Sequence, residues 1–132
     1  MAGRRGKQLE TEARKFLKEY FKTPLVFKLI NTERMDFIVV DSGGYIHIVE
    51  AKQTKSKFYN PKSSPKKREQ LHRYFEVLSE LRKLVDQQMF SSFHMLVRLR
   101  GKLVFNSYES MADIPTRIEV KPDEMPRVQK RD

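Results

Sequence analysis

Asp36, Glu50 and Lys52 are the residues from which chemistry can be argued. The two acids bracket a pair of β-rich runs, residues 36–41 and 45–51, with Ser42-Gly43-Gly44 between them as a hairpin signal. A hairpin pairs residues whose numbers sum to a constant. With the turn centred on Gly43 that constant is 86 and Asp36 lies opposite Glu50; a two-residue Gly43-Gly44 turn offsets the pair by one. Side chains alternate along a strand, so Glu50 and Lys52 share a face. Two carboxylates and one ammonium therefore converge at one end of the hairpin. Close carboxylates without a counter-charge each tend to hold a proton, and a divalent cation removes that conflict. Oxygen donors with no Cys and no obvious His pair favour Mg²⁺, or Mn²⁺ in its place, over zinc. Such a cation can polarise a phosphodiester, activate water and hold the leaving oxygen. Lys52 is placed to orient the attacking water or to stabilise charge building at phosphorus.

These side chains need a scaffold, and the pattern supplies one. Residues 7–21 read as an amphipathic helix, with Leu9, Ala13, Phe16, Leu17, Tyr20 and Phe21 at three- and four-residue steps and Pro24 as the stop. Leu25–Ile30 is a short strand candidate. Phe37–Val40 and Ile46–Val49 are largely apolar and should anchor the hairpin in the core. Residues 55–65, with Pro61 and Pro65, read as a loop. From about Lys66 to Met89, Leu71, Tyr74, Phe75, Leu78, Leu81 and Val85 line one helical face. Phe93–Leu99 and Leu103–Tyr108 look like strands joined near Arg100-Gly101-Lys102. Residues 109–132 carry Pro115, Pro122 and Pro126 and read as an irregular tail. The expected fold is a single α/β domain with a mixed sheet flanked by helices, in the order α-β-β-β-α-β-β.

Composition narrows the function classes. The chain has 132 residues, 27 Lys+Arg, 17 Asp+Glu and no Cys. One domain of ordinary size is expected, with no disulfides, thiolate metal site or cysteine nucleophile. No apolar run is long enough to span a membrane, and no apolar signal core follows the basic N-terminal residues, so the expectation is a soluble cytoplasmic protein. The net charge of +10 points to a polyanionic partner, most often nucleic acid. It is unevenly spread. Residues 1–22 carry a net +4, residues 23–50 a net −2, residues 51–73 a net +7 and residues 74–132 a net +1. The acidic island between basic flanks holds Asp36 and Glu50. In a phosphate-binding protein those carboxylates would repel the ligand unless a cation sat between them.

Asp36, then thirteen residues, then Glu50-Ala51-Lys52 resembles the signature of the PD-(D/E)XK nuclease superfamily. Met35 stands where that family often has proline. Within it the chain is similar to the archaeal Holliday junction resolvases, whose first helix carries Gly-x-x-x-Glu; here Gly6-Lys7-Gln8-Leu9-Glu10 fits. The resemblance covers about residues 6–108 and implies a restriction-endonuclease-like core with a mixed five-stranded sheet. It further implies a Mg²⁺-dependent endonuclease acting on DNA, most plausibly branched DNA, and a homodimer that makes symmetric cuts. Asp36, Glu50, Glu10 and the backbone carbonyl of Ala51 would be the metal ligands, and Lys52 would serve the attacking water. The competing readings are a non-catalytic nucleic-acid-binding protein with the same fold, and a nuclease for linear duplex, flap or RNA.

The remaining candidates are basic. Lys55 follows the motif on its strand, and Lys62, Lys66, Lys67 and Arg68 form a run leading into the second helix, with Arg73 on its first turns. All are candidate phosphate contacts, as are Arg4, Arg5 and Lys7 on a mobile N-terminal arm. Each competes with an ordinary role, a solvated face or a free terminus. Glu10 competes with a simple i,i+4 pair to Arg14, and Asp36, Glu50 and Lys52 with a cross-strand ion pair. Phe58 and Tyr59 are expected to pack onto the domain rather than stack on bases. His47 should lie on the face opposite Glu50 and is read as structural, while His72 and His94 have no partner at ligand spacing.

Overall fold

The computed structural model describes residues 4–29, 35–84 and 90–120. In chain order the elements are α1 (Arg4–Phe21), β1 (Val26–Lys28), β2 (Met35–Val40), β3 (Ile46–Thr54), β4 (Phe58–Tyr59), α2 (Pro65–Leu84), β5 (Phe90–Leu99), β6 (Lys102–Tyr108) and β7 (Ile118–Glu119), with a 3-10 turn at Met111–Asp113. The expected α/β order is present. Strands β1-β2-β3-β5-β6 form a mixed five-stranded sheet. Its β3–β5 pair is parallel and the other pairs are antiparallel. Parallel neighbours need a crossover, and α2 provides it.

Local chemistry sets the corners. At the end of α1, Lys22 takes a left-handed φ of 53° and the Thr23 N–H donates to the Lys18 carbonyl, after which Pro24 prevents any continuation. Between β2 and β3, Asp41 Oδ1 accepts the N–H groups of Gly43 (2.8 Å) and Tyr45 (3.0 Å), and Gly44 takes φ 85°. Between β5 and β6, Arg100 and Gly101 both have positive φ, the pattern of a two-residue hairpin whose twist matches its strands.

The sheet is covered on both faces. Leu9, Ala13 and Leu17 of α1 pack on Phe37, Val39, Val49, Ala51 and Leu96. On the other face, Leu71 and Leu78 of α2 pack with Ile48, Phe93, Met95, Val97 and Leu99. Strand alternation sorts the residues: odd positions of β2 and β3 face α1, and even positions face α2.

Three expectations are corrected. Residues 55–65 are not all loop, because Phe58–Tyr59 form β4 and pair with β7. Residues 109–120 are not an irregular tail. Ile114 and Ile118, spaced four apart around Pro115, are buried in the core on the α2 side and bring the chain back across β4. Arg4 and Arg5 do not form an arm, since α1 already begins at Arg4. The second helix is described to Leu84; Val85–Met89 and residues 121–132 lie outside the described residues. Among the described residues no helix is long and apolar enough to cross a membrane.

Candidate functional site

The β2–β3 register places Asp36 directly opposite Glu50 and sums to 86 at each pair. The turn is therefore the one centred on Gly43. Directly opposed residues in an antiparallel pair keep their Cβ atoms about 4.5–5.5 Å apart and on one face, close enough for the two carboxylates to share a cation. Both side chains face α2. Asp36 is 3% exposed and Glu50 2%, an uncommon degree of burial for acids that have no purpose there.

Lys52, two residues on and on the same face, brings its Nζ to 3.6 Å from Glu50 Oε2. Its side chain keeps 27% exposure, so the ammonium lies between the buried acid and solvent. The same Oε2 accepts a hydrogen bond from the Tyr74 hydroxyl at 3.3 Å. Tyr74 stands on α2 with its ring stacked on Phe93 at 5.0 Å. Tyr59, on β4, feels the same acid: burial first, and then the charge on Glu50, push its hydroxyl up to about 12. Lys52 and Tyr74 thus hold the Glu50 carboxylate, and its charge reaches the Tyr59 hydroxyl. Neither tyrosine stood out in the sequence. Tyr74 belongs to the apolar stripe of α2 and Tyr59 to the packing expected of the basic segment. The available signal was that a buried tyrosine needs a partner for its hydroxyl.

Glu10 lies elsewhere. It belongs to α1, the helix on the opposite face, and pairs with Arg14 at i+4 (Nε to Oε2, 3.3 Å). Arg14 is itself anchored, donating to the Val26 carbonyl at 3.1 Å and lying 5.8 Å over the Phe37 ring. The ordinary reading of Glu10 describes its present contact. Glu12 faces Arg98 at 3.5 Å. Among the described residues no three acidic or histidine side chains gather as a metal cage. The site proper is a carboxylate pair with Ala51 between Glu50 and Lys52; Ala51 turns its own side chain toward α1 and is buried.

The basic candidates divide into committed and available side chains. Lys67 is committed: its Nζ donates to the Asn60 carbonyl (3.2 Å) and Ser63 Oγ (3.1 Å) and sits 4.5 Å over the Tyr59 ring. Arg68 Nη1 donates to the Lys62 carbonyl at 2.7 Å, closing the turn before α2. Arg73 is exposed and pairs with Glu69 at 3.2 Å. Lys55 and Lys66 are exposed and Lys62 is half-buried. The side chains of Arg4, Arg5 and Lys7 lie outside the described residues. Phe58 remains 37% exposed with the Arg117 guanidinium 4.3 Å over its ring, while Tyr59 packs against the core as expected.

His47 is on the α1 face, opposite Glu50, as alternation requires. His94 does have a partner: His47 Nδ1 and His94 Nε2 are 3.0 Å apart. The spacing rule failed because the contact joins residues on neighbouring parallel strands, far apart in sequence. His72 is exposed on α2. No family model, no curated protein and no solved structure matches this chain.

Proposed function

We propose that this chain is a metal-dependent endonuclease that hydrolyses DNA phosphodiesters, with branched or junction DNA as the preferred substrate and a homodimer as the working form. The observation that carries the reading is the buried, directly opposed pair Asp36 and Glu50 with the Lys52 ammonium on the same face. An all-oxygen donor set of this kind fits a hard cation, Mg²⁺ or Mn²⁺, which commonly takes one or two protein carboxylates and completes its shell with water and phosphate oxygens. Asp36, Glu50 and the Ala51 carbonyl would hold it, and when bound it supplies Lewis acidity at the scissile phosphate.

The chain's own residues do the rest. Tyr74 fixes the Glu50 carboxylate by donating to Oε2. Lys52, half-exposed beside that carboxylate, orients a water for attack and stabilises negative charge as it grows on the phosphoryl oxygens. Lys55, Lys66 and Arg73, all exposed, supply the positive field that draws in the phosphate backbone. Glu10, on α1 across the sheet and paired with Arg14, lies apart from this donor set.

A second reading has an observation of its own. Lys52 already neutralises Glu50, and Arg14 already neutralises Glu10, as a metal-free nucleic-acid-binding protein would arrange them. A nuclease for linear duplex, flap or RNA is the third. Labelled four-way junction, flap, duplex and single strand, each with Mg²⁺ or EDTA, separate all three. Symmetric nicks on the junction alone support the leading reading. Metal-dependent cutting of another substrate supports the third. Binding without any metal-dependent cut supports the second.

A further inference from the structure

The opposite face of the sheet carries a connected line of polar side chains that the carboxylate site does not use. Asp41 follows β2, His47 is on β3, His94 on β5 and Ser107 on β6. Asp41 Oδ2 lies 2.8 Å from His47 Nε2, His47 Nδ1 lies 3.0 Å from His94 Nε2, and His94 Nδ1 lies 2.5 Å from Ser107 Oγ. The two imidazoles are buried, at 7% and 4% exposure. Ser107, at the end of the line, is exposed. The groups facing the rings are Asp41 from the β2 end, Phe21 from α1, and Phe105 with Ser107 from β6. Phe21 is 4.3 Å from His47, and Phe105 stacks on His94 at 5.3 Å.

The line has one polarity. Burial raises the Asp41 carboxyl, but the His47 hydrogen bond and the N–H groups of Tyr45 and Gly43 outweigh it and leave the group below its usual range. Asp41 is therefore an acceptor, and His47 carries its proton on Nε2. With His47 uncharged, its Nδ1 lone pair accepts from His94 Nε2–H. That leaves the lone pair of His94 Nδ1 facing the Ser107 hydroxyl, which donates to it. In this arrangement each ring nitrogen is matched.

We propose that Ser107 is a nucleophile activated by this relay, open to acyl and phosphonyl electrophiles that carry a good leaving group. With a fluorophosphonate, the Ser107 Oγ–P bond forms and the P–F bond breaks, fluoride leaving with the electron pair. The hydroxyl proton passes to His94 Nδ1 while the His94 Nε2 proton passes to His47 Nδ1. The positive charge comes to rest on His47, against the Asp41 carboxylate. It does not rest on His94, whose pKa burial and the neighbouring His47 lower to about 3. Asp41 thus acts as the counter-ion that makes the transfer favourable.

The test treats the purified full chain with a fluorophosphonate probe in EDTA, which removes any contribution from the carboxylate site, and follows labelling serine by serine by mass spectrometry. Ser107 should label about a hundredfold faster than the exposed Ser56 and Ser63 of the same chain. His47→Gln should reduce Ser107 to the rate of the other serines. Labelling of Ser107 no faster than Ser56 and Ser63 overturns the proposal, and that comparison within the wild-type chain does not depend on any variant folding. Labelling that survives His47→Gln at full rate overturns the relay.

Discussion

Glu50 Oε2 is shared by the Lys52 ammonium and the Tyr74 hydroxyl, so the orientation of one carboxylate depends on a neighbour two residues away and on one from α2. Tyr74→Phe keeps the stack on Phe93 and removes only the donor. A hydrogen bond to a charged group is worth about 1.5–3 kcal/mol, and at 3.3 Å the lower end applies, so single-turnover cleavage should slow about tenfold with DNA binding unchanged. Rate and affinity measured on the same substrate check it. On the other face, His94 has a folded pKa of about 3 against 6.5 in the unfolded chain. Between those values the unfolded state binds the extra proton. The stability this histidine contributes is complete above pH 6.5 and is lost as pH falls toward 3, at up to ~1.4 kcal/mol per pH unit. Asp41, with its folded pKa below 3.8, contributes stability above that value and loses it further into acid. Urea midpoints measured from pH 7 to pH 4.5 should fall for the wild type and flatten for His94→Gln. Strand alternation made Asp36, Glu50 and Lys52 legible in the sequence because they lie on one hairpin. The His47–His94 contact and the Tyr74–Glu50 contact each need a second element brought alongside, and no local spacing encodes that.

The hairpin that presents the carboxylates was readable to within one residue of its register, since two glycines in the turn and alternating apolar residues leave few pairings that bury the right face. The sequence alone left two registers open, and Asp41 decides between them by taking the Gly43 and Tyr45 N–H groups. The β4–β7 pair was not readable. Two-residue strands have no period, and the prolines around β7 read as a tail. Burial is what holds this segment: Ile114 at 1% and Ile118 at 3% exposure sit in the same core as Leu71 and Leu78. Ile114→Ala should therefore cost about 2–5 kcal/mol, seen as a lower urea midpoint, where a residue of a loose tail would cost nothing. β4, which this segment pairs with, carries Tyr59, whose hydroxyl feels the Glu50 charge. The apolar side of α2 is occupied: Leu71 and Leu78 are buried against the sheet. A homodimer would have to use other surfaces.

At the scale of the whole molecule, a net charge of +10 surrounds a pair of buried acids. Binding to DNA should weaken steeply with salt. Lys66, exposed, should contribute to that dependence, so Lys66→Ala lowers the slope of log affinity against log salt by about one. Lys67, held by Asn60, Ser63 and Tyr59, should instead lower stability when replaced and leave the slope nearly unchanged. Fluorescence anisotropy across a salt series, beside a urea titration, distinguishes the two lysines. The claim on which the functional account rests is that Asp36 and Glu50 hold a cation that cuts DNA. The direct measurement is cleavage of labelled four-way junction by the wild type and by Glu50→Gln, in Mg²⁺ and in EDTA, with binding followed in parallel. The account predicts paired nicks by the wild type in Mg²⁺, none in EDTA, and none by Glu50→Gln, which still binds the junction. Tight junction binding with no Mg²⁺-dependent cut by the wild type, or cutting that survives in Glu50→Gln, would contradict it.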